Sequence, residues 1–265
     1  MMVAILVALP SLMVDQGAQD ASRIILPIAV VAGLLVFVEY VSSSPSILEF
    51  RFAAPYNRIR FAAVAFVVLS LSAIARGGPE SGSYALLMAE IDSGFAAVLN
   101  FPYSPVHQVP LLLPAHSAAE TVDFAYVAAG LSYGMSLVTI VLFALIVRVL
   151  GWPVRHGAFN VWMNLPLFDP TRGVDVVRKL QREAGINLFL GFMLPFFLPV
   201  IVAVMRGLFE MPPAQPQTLI WMICGWAFLP ASLVMRGIAM HRVAEMISAK
   251  RRRVYARAGA RLQAV

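Results

Sequence analysis

SRIILPIAVVAGLLVFVEYVSSS, at residues 22–44, is apolar over nearly its whole length and carries one acidic residue, Glu39, near its end. An α-helix needs about 20 predominantly apolar residues to cross the roughly 30 Å of bilayer hydrocarbon. Four more segments approach or exceed this length, at residues 60–75, 124–150, 186–209 and 218–238. The sequence therefore predicts an all-α, polytopic membrane helical bundle with about five transmembrane helices.

The composition agrees with this class. Hydrophobic residues make up 60% of the chain and charged residues only 13%, whereas an average soluble protein has about 25% charged residues. The spans use up most of the 265 residues, so we predict a single integral membrane domain over residues 1–265. Cys224 is the single cysteine, which excludes an intrachain disulfide and a cysteine-based metal cluster.

The charges of the loops alternate along the chain. The loop after the first span carries Arg51, Arg58 and Arg60 against Glu49, whereas residues 76–123 are mainly acidic. The third loop is basic again, and so is the tail at residues 239–265. Because positively charged loops stay in the cytoplasm, we predict an N-out, C-in topology with an outer loop at 76–123 and a basic cytoplasmic tail at 239–265.

The cations also indicate the source. All are arginine except Lys179 and Lys250, a bias that fits a GC-rich bacterial genome. We therefore expect a multi-pass protein of the bacterial inner (cytoplasmic) membrane. Residues 1–14 are apolar but too short to span comfortably and contain Pro10. We expect them to form an interfacial or packed segment, with a cleaved signal or a sixth crossing as the alternatives.

Short amphipathic segments lie between the spans. Apolar residues from Tyr84 to Leu99 recur at helical spacing and predict a helix that lies in the interface or caps the bundle. Four prolines in residues 101–114 predict an extended strap, and Ser117 with Glu120 matches a capping box at the start of the third span.

Aromatic residues of the third loop, including Trp152, have a composition typical of the headgroup level. Asp169 is a candidate N-cap for a short basic helix, which Gly185 would end. Pro195 and Pro199 should bend the fourth span.

The third span contains the pattern G-x-S-x-G around Ser132, which matches a serine-hydrolase motif. That motif requires a turn between a strand and a helix, which a long helical run does not provide. Helix packing explains more of the pattern, because small and hydroxyl residues let helices approach closely. The packing residues are Gly130, Gly134, Ser136 and Thr139.

Metal and cofactor sites have weaker signals. A zinc site could form from His107, His116, Glu120 and Asp123, although helix capping already accounts for Glu120. No span has an internal histidine to ligate haem, and we predict no cofactor. Glu39 is the one candidate for a functional carboxylate in a span; it could instead pair with Arg51 or Arg58.

The tail is predicted to be a helical, basic extension of the last span. It could bind anionic headgroups on the cytoplasmic side or an acidic cytoplasmic partner, and no nucleic-acid-binding motif accompanies the charge. The cations of this candidate contact surface are Lys250, Arg251, Arg252, Arg253, Arg257 and Arg261.

Function is less constrained than fold. Because no catalytic motif is convincing and the middles of the other four spans contain no Asp, Glu, Lys, Arg or His, we expect a non-catalytic integral subunit or assembly factor of a larger inner-membrane complex, in contact with lipids and other membrane subunits. A transporter or channel component for a lipid or small apolar molecule is the alternative. An intramembrane serine hydrolase acting through Ser132 is the third.

Overall fold

The computed structural model describes residues 1–14, 19–43, 46–76, 82–114, 117–153, 159–168, 175–208 and 215–263. Within these ranges the chain is helical and contains no β-strand, so the all-α class is confirmed. The helices are α1 (Met2–Met13), α2 (Gln19–Val41), α3 (Tyr56–Arg76), α4 (Gly82–Leu99), α5 (Ala119–Val149), α6 (Val161–Asn164), α7 (Val176–Leu208) and α8 (Pro216–Gln263).

Four helices, α3, α5, α7 and α8, are long and apolar enough to cross a membrane. Four of the predicted spans fall on them. The first predicted span falls on α2, whose described apolar stretch, Ile25–Val41, is shorter than those four. A multi-pass helical membrane protein is therefore the class that the structure supports, and the count of five stays a prediction.

The bundle buries two hydrophobic clusters, one toward each end. The first joins α3, α5 and the start of α8 with the strap at residues 100–114, through side chains such as Val67, Leu131 and Ile223. The second joins residues 50–56, 152 and 165–168 with the end of α5, the start of α7 and the middle of α8. We call these the strap end and the basic end.

Helix α1 packs into the bundle. It contacts α2, α3 and the start of α8, and Val14 is buried in the strap-end cluster. The Ser11 hydroxyl donates a hydrogen bond of 2.8 Å to the side-chain oxygen of Gln217. These residues therefore pack against the other helices, and the alternatives of a sixth crossing and of a cleaved signal are not tested by this packing.

The amphipathic helix predicted between the second and third spans is present as α4, which lies against α5 and α3. The hydroxyl groups of Tyr84 and Ser70 are 2.9 Å apart, which ties the start of α4 to α3. Its predicted apolar stripe is divided, since Met88 is buried whereas Val98 is 74% exposed.

Two predicted helix boundaries are wrong. The capping box does not form: α5 begins at Ala119, and the Ser117 hydroxyl donates to the Pro114 carbonyl instead. Gly185 does not end a helix, because α7 continues through it from Val176 to Leu208. A helical glycine costs only about 1 kcal/mol, which the packing of α7 along α8 can offset. The predicted N-cap Asp169 lies outside the described residues.

Candidate docking surfaces

The predicted packing residues of α5 are all buried: Gly130, Gly134, Ser136 and Thr139. A Cβ atom on Gly134 would lie 2.5 Å from the Phe95 ring, so this glycine lets α4 approach α5. The hydroxyls of Ser136 and Thr139 donate to carbonyls of their own helix, at 2.8 and 2.6 Å. Both hydroxyl groups therefore make their hydrogen bonds within α5 and not with a neighbouring helix.

Ser132 is fully buried, and its hydroxyl has no hydrogen-bond partner among the described residues. The buried Cys224 thiol lies beside it without meeting hydrogen-bond geometry. Of the described histidines, His107 faces Asn100 at 3.0 Å and His241 faces Glu245 at 3.5 Å. Neither histidine is placed to act as a base for Ser132, so the described residues lack the nucleophile–base contact of a serine hydrolase.

The residues of the possible zinc site are only partly described. Glu120 and Asp123 are exposed in the first turns of α5, and the His107 ring is engaged with Asn100. No group of three metal-ligating side chains is present in the part of the chain that the structure describes. His116 lies outside that part, so the four-residue set stays a prediction.

Glu39 holds a turn. Its carboxylate accepts hydrogen bonds from the backbone N–H groups of Ser46, Ile47 and Leu48, at 3.0–3.2 Å, and from the Ser46 hydroxyl at 2.5 Å. Arg51 donates to the backbone carbonyl of Glu39 and not to its carboxylate. These contacts join the end of α2 to residues 46–48 and give this carboxylate a structural role.

An ion pair between distant segments was not predicted. The Arg236 guanidinium on α8 donates two hydrogen bonds to the Glu49 carboxylate, at 2.6 and 2.9 Å. The side chains are only 21% and 10% exposed. The pair therefore fixes the loop around Glu49 against α8 at the basic end, where Glu183 of α7 also approaches Arg236 at 4.0 Å.

Several aromatic residues of the third loop are core residues, and their predicted headgroup depth stays a prediction. Trp152 is 4% exposed, and its indole N–H donates to the Ala53 carbonyl at 3.1 Å. Its ring lies against Phe50 and Phe143, with centroids 5.4 and 5.1 Å away. Asn164 accepts from the backbone N–H of Phe50 at 2.7 Å, so the two basic-end loops fold together.

Two glycines let the backbones of α7 and α8 approach closely. A Cβ atom on Gly191 would lie 2.7 Å from the Pro230 carbonyl oxygen, and one on Gly237 would lie 2.9 Å from the Ala184 carbonyl oxygen. Pro199 has no N–H to donate to the Pro195 carbonyl one turn earlier. The buried Trp226 indole N–H donates to that carbonyl at 3.0 Å and so satisfies it inside the bundle.

Helix α2 stands at the edge of the bundle. Among the described helices it packs on α1 alone. Ala29 and Gly33 belong to the stripe that faces α1, and a Cβ atom on Gly33 would lie 3.1 Å from that of Ala4. At 3.6 residues per turn, the exposed apolar side chains cover about two thirds of the helix circumference. This α2 face consists of Leu26, Ile28, Val30, Val31, Leu34, Leu35, Phe37, Val38, Tyr40 and Val41.

An apolar recess of about 720 Å³ lies between α4 and α5. Its lining includes Ile91, Phe95, Gly134, Val138 and Leu145, and no charged side chain of the described residues faces it. We call it the α4–α5 recess. It opens along an exposed side of α5, so an apolar chain could enter from the bilayer.

The basic tail is helical as predicted, because α8 runs unbroken to Gln263. Arg242 donates to the Trp152 carbonyl at 3.3 Å, and Arg251 pairs with Asp175 just before α7. The hydrogen bond from Arg251 holds the pKa of the Asp175 carboxyl below its ordinary value. Every described residue from 250 to 258 is exposed.

Comparison with protein-family models, with curated proteins and with solved structures finds no match to this chain.

Proposed function

We propose that this protein is a non-catalytic integral subunit or assembly factor of a larger complex in the bacterial inner membrane. The observation that carries the proposal is the placement of α2 at the bundle edge, with its small residues toward α1 and its large apolar side chains outward. Small residues are what tightly packed membrane helices use at their contacts. The outward α2 face is then free to meet a transmembrane helix of a partner subunit.

The topology that we propose has five spans, with the N-terminus outside and the C-terminus inside. The basic end brings together Arg51, Arg60, Arg236, Arg242 and the tail, which supports placing this whole end on one side. Basic segments stay in the cytoplasm. In this arrangement α2 provides the fifth span, and residues 76–123 lie outside.

Site-specific photo-crosslinking in native membranes tests the role of α2. A photoreactive amino acid is placed at Leu34 or Val38 on the α2 face. The matched control positions are Phe192 and Phe197 on α7, which are 62% and 55% exposed. We expect the α2 positions to give a discrete protein adduct and the α7 positions to give mainly lipid adducts. Lipid adducts alone at all four positions would contradict the proposal.

A second function, the handling of a lipid or small apolar molecule, is favoured by one observation, the α4–α5 recess. Its apolar lining suits an acyl chain or a similarly apolar ligand. No ionisable side chain is needed for such a cargo.

Mass spectrometry of the purified protein with its bound lipids tests this alternative. Val138→Trp would fill the recess, whereas Val200→Trp on the exposed face of α7 adds the same ring outside it. If the recess holds a ligand, only the first variant should lose a specifically bound species. Equal lipid retention by both variants would exclude the recess as a binding site.

A further inference from the structure

The α4–α5 recess is an elongated apolar slot along α5. Its α5 wall begins at Gly134, where the two helices meet, because the Phe95 ring occupies the space that a Cβ atom on this glycine would take. From there the wall continues through Val138 and Val141 to Leu145. At a rise of 1.5 Å per residue, this wall is about 16 Å long.

A cation follows the slot on the same side of α5. Arg148 is exposed and comes about one turn after Leu145. At about 100° per residue, it lies about 20° from Val141 around the helix axis. Side chains of an α-helix lean toward the helix N-terminus, so the Arg148 side chain extends back toward the recess. The α5 face therefore presents an apolar wall with one positive charge at the end that lies away from Gly134.

The size of the recess favours a lipid chain over a partner helix. Its volume of about 720 Å³ lies within the range of small-molecule sites, roughly 300–1,000 Å³. A helix of about 10 Å diameter would need roughly 1,300 Å³ over a length of about 16 Å. A Cβ atom on Gly94 of the α4 wall would meet nothing within 4 Å, so this wall borders open space. A flexible acyl chain can fill such a slot without displacing either helix.

We propose that the α4–α5 recess binds an anionic phospholipid, with one acyl chain in the slot and the headgroup phosphate on Arg148. Such a lipid joins an apolar chain to a negative charge, which complements the order of apolar wall and cation on α5. Val141 and Leu145 are exposed, so the recess is open at its side and the second acyl chain stays in the bilayer. This inference rests on the second proposed function, names its ligand class and makes Arg148 the residue that selects the headgroup.

Native mass spectrometry tests the headgroup contact. The full-length protein is equilibrated with equal amounts of phosphatidylglycerol and phosphatidylcholine that carry the same acyl chains. Arg148→Gln removes the cation, and Arg182→Gln, at an exposed position of α7, is the matched control. We expect wild type and the control to prefer phosphatidylglycerol by about fivefold, because the choline charge opposes an arginine, and Arg148→Gln to bind both lipids equally. A wild type without preference, the same preference in all three proteins, or an equal loss in both variants would overturn the proposal.

A second pair of variants tests whether the bound lipid occupies the slot. Gly94→Leu adds a side chain to the open space at the α4 wall. Gly185→Leu makes the same change on α7, at an exposed glycine whose Cβ atom would also meet nothing within 4 Å. We expect the first variant to lose most of the bound phosphatidylglycerol and the second to retain it. Equal retention by both variants would overturn the proposal.

Two further measurements identify other occupants. A free fatty acid of the same chain length, added at equal concentration, should not displace phosphatidylglycerol; displacement would assign the recess to a fatty acid and overturn the proposal. A photoreactive amino acid at Leu142, in the recess lining, should give lipid adducts in native membranes. A discrete protein adduct there would assign the recess to a partner helix and also overturn the proposal.

The inference and the function on which it rests can fail separately. If wild type and Arg148→Gln bind both lipids alike while Val138→Trp loses them, the recess holds lipid without headgroup selection, and only the inference fails. If Val138→Trp retains its lipids as Val200→Trp does, both fail.

Discussion

Gly191→Ala should destabilise the bundle although alanine is the better helix former. The new Cβ atom would lie 2.7 Å from the Pro230 carbonyl oxygen and 2.9 Å from the Val234 backbone nitrogen. Ordinary contact begins at 3.4 Å, so α8 must retreat by about 0.7 Å at the carbonyl. Backbone atoms cannot rotate aside, so the helices themselves have to separate.

The magnitude follows from two opposing terms. Overpacking of a close contact costs about 1–3 kcal/mol, and replacing a helical glycine by alanine returns about 1 kcal/mol. Gly225→Ala is the matched control, because its Cβ atom would meet nothing within 4 Å. We expect the control to be neutral or stabilising, and Gly191→Ala to be less stable than the control by about 2–3 kcal/mol because the clash involves backbone.

Cys224 provides the assay. It is the single cysteine and is buried, so its reaction with a thiol-reactive fluorophore reports unfolding in detergent. Adding Val234→Ala to Gly191→Ala removes the side-chain part of the clash, at 2.6 Å, and leaves the carbonyl part, so only partial recovery is expected. Equal stability of Gly191→Ala and Gly225→Ala would refute the close α7–α8 approach.

Three further outcomes are expected. Trp226→Phe should cost about 1–3 kcal/mol, measured with the same assay, because the buried Pro195 carbonyl loses its donor; no change would mean that another group satisfies it. Glu49→Gln should destabilise by about 1.5–3 kcal/mol because the two hydrogen bonds from the charged Arg236 are weakened, whereas Glu245→Gln on the exposed surface should change stability by less than about 0.5 kcal/mol. Reporters that distinguish the two sides of the membrane should be exported when fused after residues 81 and 213 and should stay in the cytoplasm when fused after residues 55, 172 and 265. The opposite result at any two of these sites would contradict the five-span topology.

The bilayer makes the helices predictable, because it admits few structures besides apolar helices of about 20 residues. The sequence accordingly locates α3, α5 and α8 and the helical tail. The sequence does not predict that α7 continues through Gly185. The helix propensity of glycine favours a helix end there, whereas tertiary packing on α8 keeps the residue helical.

The contacts that fix the surfaces are harder to predict because they join distant segments. Glu49 and Arg236 are 187 residues apart, and no local spacing relates them. Gly191 and Gly225 look alike in the sequence, but only the first meets a neighbouring backbone. One signal was available: Pro199 leaves the Pro195 carbonyl without its helical donor, which predicts a side-chain donor such as the Trp226 indole.

The most direct test of the proposed subunit role is the composition of the complex extracted from its own membranes in mild detergent. Wild-type protein is compared with Gly33→Ile, which would force α2 away from Ala4, and with Gly225→Ala as the control. We expect wild type and control to emerge with at least one other transmembrane protein in fixed ratio, and Gly33→Ile to lose it while remaining folded by the Cys224 assay. A wild-type protein that emerges as a monomer of 28.9 kDa with lipid alone would contradict the proposed role.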